Sequence, residues 1–329
     1  MIGHSFQVSS SQRIAKVDKR KPSSDYLLLI LANLIWGSTD VAAKFALAEM
    51  SPQTLAWTRF TIALFAFLPW MVLRRAEIPR TLRGLLPFLA LGACGFFLNY
   101  VLHYHGLRLA PASHATALRV SEALVIVVLS AVLLGERVGR RAAFGLVTGT
   151  AGVLMVLDID FYDLSLFNKG YRLGDFFIIC GIFVEGLYTI IGKRVLVKSS
   201  PLTATALACA FGWLMLSISS GPEVYDLLKN PPSLSALLAC AFLGLFASGL
   251  GYLIWYQVLA RRESHRVGIT IVIQPIVGIP LATLVFGDII KPIFLAGATL
   301  IVLGVYLALG PAPGEGHGSG SSLGQAMSK

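Results

Sequence analysis

Ten stretches, each close to the length of a bilayer-crossing helix, constrain this chain more than any other feature. They run over about residues 26–47, 52–73, 85–106, 113–134, 141–157, 174–196, 202–220, 234–259, 265–286 and 292–309. A transmembrane helix needs about 20 mostly apolar residues. Uninterrupted runs of this length exclude a β-barrel, whose strands alternate over about ten residues. Composition agrees: 56% of the 329 residues are hydrophobic and 13% are charged, whereas soluble domains carry about 25% charged residues. Lipid is therefore the solvent for most of the surface, and the expected class is an all-α polytopic membrane protein. A net charge of +10 would suggest nucleic acid in a soluble chain. Here the basic residues sit in short gaps between apolar runs, so they set orientation, and no nucleic-acid partner is expected.

With the N-terminus inside, 19 Lys and Arg fall in the cytoplasmic gaps. The opposite side holds 5, namely Arg108, Lys169, Arg172, Lys229 and Lys291. The positive-inside rule then places both termini in the cytoplasm and the chain in the cytoplasmic (inner) membrane. Residues 1–25 are polar and basic and lack the apolar core of a secretory signal. The Gly- and Ser-rich tail 310–329 reads as disordered. Cys94, Cys180, Cys209 and Cys240 each lie in a separate apolar run without metal-ligand spacing, which suits small core side chains. No metal or cofactor is expected.

Shifting the sequence by 152 residues superposes its halves: Gly92 meets Gly244, Tyr100 meets Tyr252, Tyr104 meets Tyr256, Gly145 meets Gly297 and Gly152 meets Gly304. Earlier in each half the shift is 149, where Gly37 meets Gly186, Lys44 meets Lys193 and Ser51-Pro52 meets Ser200-Pro201. Five spans per half is an odd number, so the second copy must enter the membrane from the other side. Inverted repeats of this kind typify secondary transporters, whose site lies near the midplane between the halves. The expected organisation is a cytoplasmic segment 1–25, a first five-helix repeat 26–157, an extracytoplasmic linker 158–173, a second repeat 174–309 and the tail. A monomer or homodimer is expected.

Several stretches carry a resemblance: LIWGSTDVAAKFAL in span 1, SPQTLAWTRF opening span 2, LLGERVGRRAAFGLVTGTAGVLMVL across spans 4 and 5, and IVIQPIVGIPLATLVFGDIIKPIFLAGATLIVLGVYL in the second half. They resemble the EamA-type repeat of the drug/metabolite transporter superfamily over about residues 26–309. The resemblance implies a transporter of amino acids or related metabolites, more often exported, and no catalysis. Gln274-Pro275 fits the family's polar-Pro pattern in span 9, while the first copy has Glu122-Ala123. Within LLGERVGRRAAFGL, Glu136 and Arg137, Arg140 and Arg141 read as a cytoplasmic turn, with Glu136 facing the helix N-terminus that favours negative charge.

Ionisable side chains inside spans are costly and are functional candidates by default. Three are basic (Lys44, Arg59, Arg119) and three acidic (Asp40, Glu122, Glu185). Asn33, Trp36, Asp40 and Lys44 recur at helical spacing on span 1, which would allow an Asp40–Lys44 pair one turn apart. By depth, Asp40, Arg59, His103 and Arg119 fall in the outer half and Glu122 and Glu185 nearer the centre. That suggests a charged outer gate above a midplane site. Arg forks suit a carboxylate or phosphate. Asn99 shares a face with His103, and Tyr188 shares one with Glu185. Tyr252, Trp255 and Tyr256 form a stripe on span 8; Tyr256 suits the interfacial aromatic belt, while Tyr252 and Trp255 suit cavity lining. Gln274 sits beside a proline mid-span. Glu122, Glu185 and His103 are the candidate proton carriers.

Two other classes compete. A membrane-embedded enzyme would need a nucleotide loop, a metal motif or a nucleophile elbow, and none occurs in the sequence. A channel is disfavoured by the inverted repeat. Within transport, the alternative substrate is a phosphorylated or nucleotide-linked solute.

Overall fold

A computed structural model describes residues 22–73, 77–134, 139–156, 170–262 and 267–309. The 1–21 and 310–329 segments, most of the 158–173 linker, and Glu136 and Arg137 of the 4–5 turn lie outside the described residues. All the regular structure described is helical. Helices α1 (Pro22–Gly37), α2 (Thr39–Ala46), α3 (Pro52–Leu73), α4 (Leu82–Leu91), α5 (Asn99–Leu109), α6 (Ala112–Arg119), α7 (Glu122–Leu134) and α8 (Arg140–Val156) make up the first half. Helices α9 (Gly170–Val195), α10 (Pro201–Ser219), α11 (Gly221–Lys229), α12 (Leu234–Ala241), α13 (Tyr252–Leu259), α14 (Gln274–Phe286) and α15 (Pro292–Leu309) make up the second. Among the described residues, seven helical runs are long and apolar enough to cross a membrane, the longest being Leu82–Leu109; Thr270–Phe286 and Pro292–Leu307 are shorter apolar helices. Polarity is inverted relative to a soluble protein. Leu284 is 83% exposed and Leu73 76%, while Asp40, Arg59 and His103 are buried.

Several expected spans are interrupted. The first breaks at Ser38 between α1 and α2, and the fourth breaks at Val120-Ser121 between α6 and α7. The ninth begins as a 3₁₀ turn, Ile269–Ile273, before α14. The third and eighth pass through π-helical segments at Gly92–Leu98 and Phe242–Gly251. The interruptions at 119–122 and 271–274, and the two π segments, fall at repeat-equivalent positions. Broken backbone of this kind is tolerated within a bilayer only where it faces protein or a cavity.

Reciprocal contacts relate the halves. A Cβ on Gly92 would lie 2.8 Å from the Ala208 carbonyl, and one on Gly244 would lie 2.7 Å from the Arg59 carbonyl. Helices α8 and α15 cross in the same manner: a Cβ on Gly152 would meet the Gly297 carbonyl at 2.5 Å, and one on Gly304 the Gly145 carbonyl at 2.6 Å. Two copies packed about an approximate two-fold axis produce such exchanged pairs.

Each end of the bundle carries its own copy of one set of ties. Ser51 and Ser200 cap α3 and α10 by accepting from the Thr54 and Thr203 backbone N–H groups, each at 3.2 Å, with Pro at the first helical position. At one end the Ser51 hydroxyl also donates to Glu223. At the other, the Ser200 and Thr203 hydroxyls donate to Glu77, each at 2.8 Å. Lys44 Nζ donates to the Ala110 carbonyl at 2.5 Å, and its equivalent Lys193 donates to the Leu259 and Arg262 carbonyls at 2.8 Å. A lysine thus closes the C-terminal end of α5 and of α13, where cations are favoured. The expected Asp40–Lys44 pair does not form. The break at Ser38 starts a new helix that turns Asp40 inward, while Lys44 reaches across to the end of α5.

Candidate functional site

A polar cavity lies between the halves. It is lined by Trp36, Thr39, Asp40, Arg59, Tyr100, His103, Tyr104, Arg119, Glu122, Glu185, Tyr188, Thr189, Tyr252, Trp255, Ile271 and Gln274. Its free space is about 30 Å³, enough for two or three waters at about 10–15 Å³ each, so the side chains fill most of it. Its walls follow the repeat. With shifts of 149 and 152 residues, Trp36 is equivalent to Glu185, Thr39 to Tyr188, Asp40 to Thr189, Tyr100 to Tyr252, His103 to Trp255, Arg119 to Ile271 and Glu122 to Gln274. Each pair contributes both members. The backbone frame is therefore duplicated, but the charge is not, since the first half supplies every carboxylate, imidazole and guanidinium of the lining except Glu185.

A hydrogen-bonded chain crosses the cavity from one half to the other. Thr116 Oγ1 donates to Asp40 Oδ2 at 3.1 Å, and Asp40 Oδ1 lies 2.8 Å from His103 Nε2. Arg119 Nη2 lies 3.0 Å from the same ring nitrogen and 4.0 Å from Asp40 Oδ1. Arg119 Nη1 donates to Glu185 Oε2 at 2.7 Å. Tyr252 OH donates to Glu185 Oε1 at 3.0 Å and meets Tyr100 OH at 2.9 Å. The two equivalent tyrosines thus touch each other, as residues on a two-fold axis must.

Arg59 stands apart from this chain. Its Nε donates to Ser248 Oγ at 2.5 Å and its Nη1 to Tyr104 OH at 2.6 Å, with the guanidinium 4.4 Å from the Tyr100 ring centre. Trp36 lies 5.5 Å from both Tyr252 and Trp255, ring centre to ring centre, and donates to the Ala247 carbonyl at 3.1 Å.

Eleven of the thirteen residues singled out from sequence line this one cavity. The other two pack behind it. Asn33 accepts from Gln274 Nε2 at 2.9 Å and donates to Thr270 at 3.0 Å, bracing the break before α14. Asn99 sits against Gly181. The layered arrangement expected from depth, an outer charged gate above a separate central site, does not occur, because Arg119 bonds directly to Glu185. Tyr256 is fully buried and stacks on Tyr188 at 5.2 Å, which overturns its assignment to the interfacial belt. Tyr100, Tyr104, Thr39, Thr189 and Ile271 escaped notice as site residues. Repeat equivalence would have found most of them, since Tyr252 implies Tyr100. The four cysteines are free, two buried and two half-buried.

Comparisons with known proteins place this geometry in context. The pattern of the EamA-like transporter family matches residues 23–158 and 172–310, one match for each half. An uncharacterized transporter of Archaeoglobus fulgidus is 28% identical over 290 residues, covering 87% of this chain and 97% of its own. A probable amino-acid metabolite efflux pump of Salmonella typhimurium is 25% identical over 86% of this chain and 94% of its own. A probable terminal-alkyne amino-acid exporter of Streptantibioticus cattleyicolor is 24% identical over 85% and 91%. A solved crystal structure shares the fold, with a TM-score of 0.61 at 21% identity over 88% of this chain and 97% of that one. A two-copy match over most of the chain, joined to apolar helices around an enclosed polar cavity, identifies this protein as a multi-pass membrane transporter that belongs to the EamA-like transporter family.

Proposed function

We propose that this protein is a secondary active transporter of the cytoplasmic (inner) membrane that exports small organic metabolites such as amino acids. In this reading ten spans form two inverted five-helix repeats, residues 26–157 and 174–309, with both termini in the cytoplasm. The cavity is the substrate site, which widens from room for a few waters as the repeats exchange conformations and open it to one side and then the other. The observation that carries the reading is the wall of repeat-equivalent residues around an enclosed polar space, with matching ties at both ends of the bundle. Ties of the same chemistry at each end suit an occluded state from which either end can open. The names of the efflux pump and exporter relatives support the direction and the amino-acid class.

Glu122, Glu185 and His103 are the proton carriers of this reading. Glu122 is the best placed of the three. It faces the cavity without a hydrogen bond among the described residues, whereas Glu185 and His103 are held by Arg119 and Asp40.

Reconstitution into proteoliposomes with a panel of labelled amino acids, with and without an imposed pH gradient, tests the proposal. Counterflow of at least one amino acid is expected, accelerated by the gradient in wild type and indifferent to it in Glu122→Gln. Counterflow of none of them would remove the amino-acid reading, and a gradient response unchanged in Glu122→Gln would remove the carrier assignment.

A further inference from the structure

Two guanidiniums are buried in the cavity wall, and only one is neutralised. Arg119 bonds to Glu185 at 2.7 Å and lies 4.0 Å from Asp40. Arg59, 2% exposed, hydrogen-bonds to the hydroxyls of Ser248 and Tyr104 and lies against the rings of Tyr100 and Phe60, with the Cys209 and Cys240 thiols nearby. No carboxylate pairs with it among the described residues. Guanidinium carries five N–H donors, and the two hydroxyls take one each through Nε and Nη1, which leaves Nη2 without a hydrogen bond among the described residues.

An uncompensated buried cation is strongly unfavourable, so something other than stability must retain it. The fold does not require it. In the second half the equivalent place is Ala208, and Gly92 packs on that backbone as Gly244 packs on that of Arg59. The helix crossing works with a methyl group there. The guanidinium is an addition of one repeat alone, aimed into the cavity.

We infer that Arg59 is the anchor for the carboxylate of the substrate and the residue that selects solutes bearing one. Arg119, whose charge is already met, holds the wall together. A single free guanidinium matches a single negative charge, and the rings of Trp36, Tyr252 and Trp255 lie across the same cavity to take an apolar side chain. The inference rests on the transport reading above, and it deepens that reading by assigning the substrate's charged group to one residue.

The test uses purified full-length protein in detergent and in proteoliposomes, with L-phenylalanine, 3-phenylpropionate, phenethylamine and phenyl phosphate as probes. In wild type the two carboxylates raise the melting temperature and compete for exchange, and phenethylamine does neither. In Arg59→Gln the carboxylate affinity falls roughly 10- to 100-fold, the range set by hydrogen bonds to a charged group, while the unliganded melting temperature does not fall. Arg59→Lys recovers part of the affinity, because it restores the charge but not the fork. Equal responses to phenethylamine and phenylalanine would overturn the inference. So would a stronger response to phenyl phosphate than to the carboxylates, a response to none of the four, or a drop in the unliganded melting temperature of Arg59→Gln. A carboxylate-dependent melting shift without flux would leave the anchor standing and remove the transport reading instead.

Discussion

Arg119 holds two buried carboxylates, bonding to Glu185 and lying within ion-pair distance of Asp40. Truncation to Ala would leave Glu185 without its ion pair while Asp40 keeps His103 and Thr116, a loss of about 3–5 kcal/mol for a broken buried pair. Arg119→Ala should therefore lower the melting temperature of the detergent-solubilised protein sharply, and Arg119→Ala/Glu185→Leu should restore part of it. A melting temperature unchanged in the single variant would mean that the network does not hold the helices. At this scale the sequence is legible wherever a group it singled out is costly in lipid: Asp40, Glu122, Glu185 and both arginines reach the cavity, while the buried Asp175 of α9 lies outside it against His114. Partnership was not legible. Spacing one turn apart suggested Asp40 with Lys44, and both do lie on the unbroken α2, but neighbouring helices offer each a better partner: His103 and Thr116 for Asp40, the Ala110 carbonyl for Lys44. Tyr100 and Tyr104 were missed as cavity residues for a different reason: a tyrosine in an apolar run is cheap and raises no alarm.

The apolar runs and their order could be read directly, because about 20 apolar residues in a row have few alternatives. The interruptions could not, since Ser and Gly occur in unbroken spans as readily as in broken ones, and only the Gln274-Pro275 pair marked its break beforehand. The ties at the bundle ends were visible only in part, as the repeated Ser-Pro and Lys positions; Glu77 and Glu223 lie in connections whose partners no pattern specified. These acids lead to a paired prediction. In a Thr189→Cys background, Glu77→Gln should speed labelling of the cavity thiol by a membrane-impermeant reagent added at the Lys193 end. Glu223→Gln should speed it from the Lys44 end. Sealed vesicles of known orientation distinguish the two, and equal effects from one side would mean that the acids do not hold opposite ends shut.

The whole molecule depends on the halves approaching to backbone contact. Gly152 and Gly304 on one crossing, and Gly92 and Gly244 on the other two, sit where any side chain would meet a carbonyl of the facing helix. Gly152→Leu should force α8 and α15 apart at a cost of about 1–3 kcal/mol or more, seen as reduced monodisperse yield in size-exclusion chromatography. Leu at Gly139, which faces open space, should leave the yield unchanged. The repeat was legible because these glycines recur in a constant register, and small residues are what close helix packing in lipid selects. Its imperfection has a consequence of its own. If both halves lined the cavity alike, a solute arriving from either compartment would meet equivalent walls and bind with equal strength. Asp40, Arg59, His103, Arg119 and Glu122 all belong to one half, so in the alternating-access carrier proposed above rocking of the halves would carry the charged wall with it and the two faces would present unequal affinities. Such inequality cannot by itself drive net movement, since detailed balance forbids it without a gradient. It decides instead how heavily each face is occupied at a given concentration, and hence from which compartment the carrier saturates first.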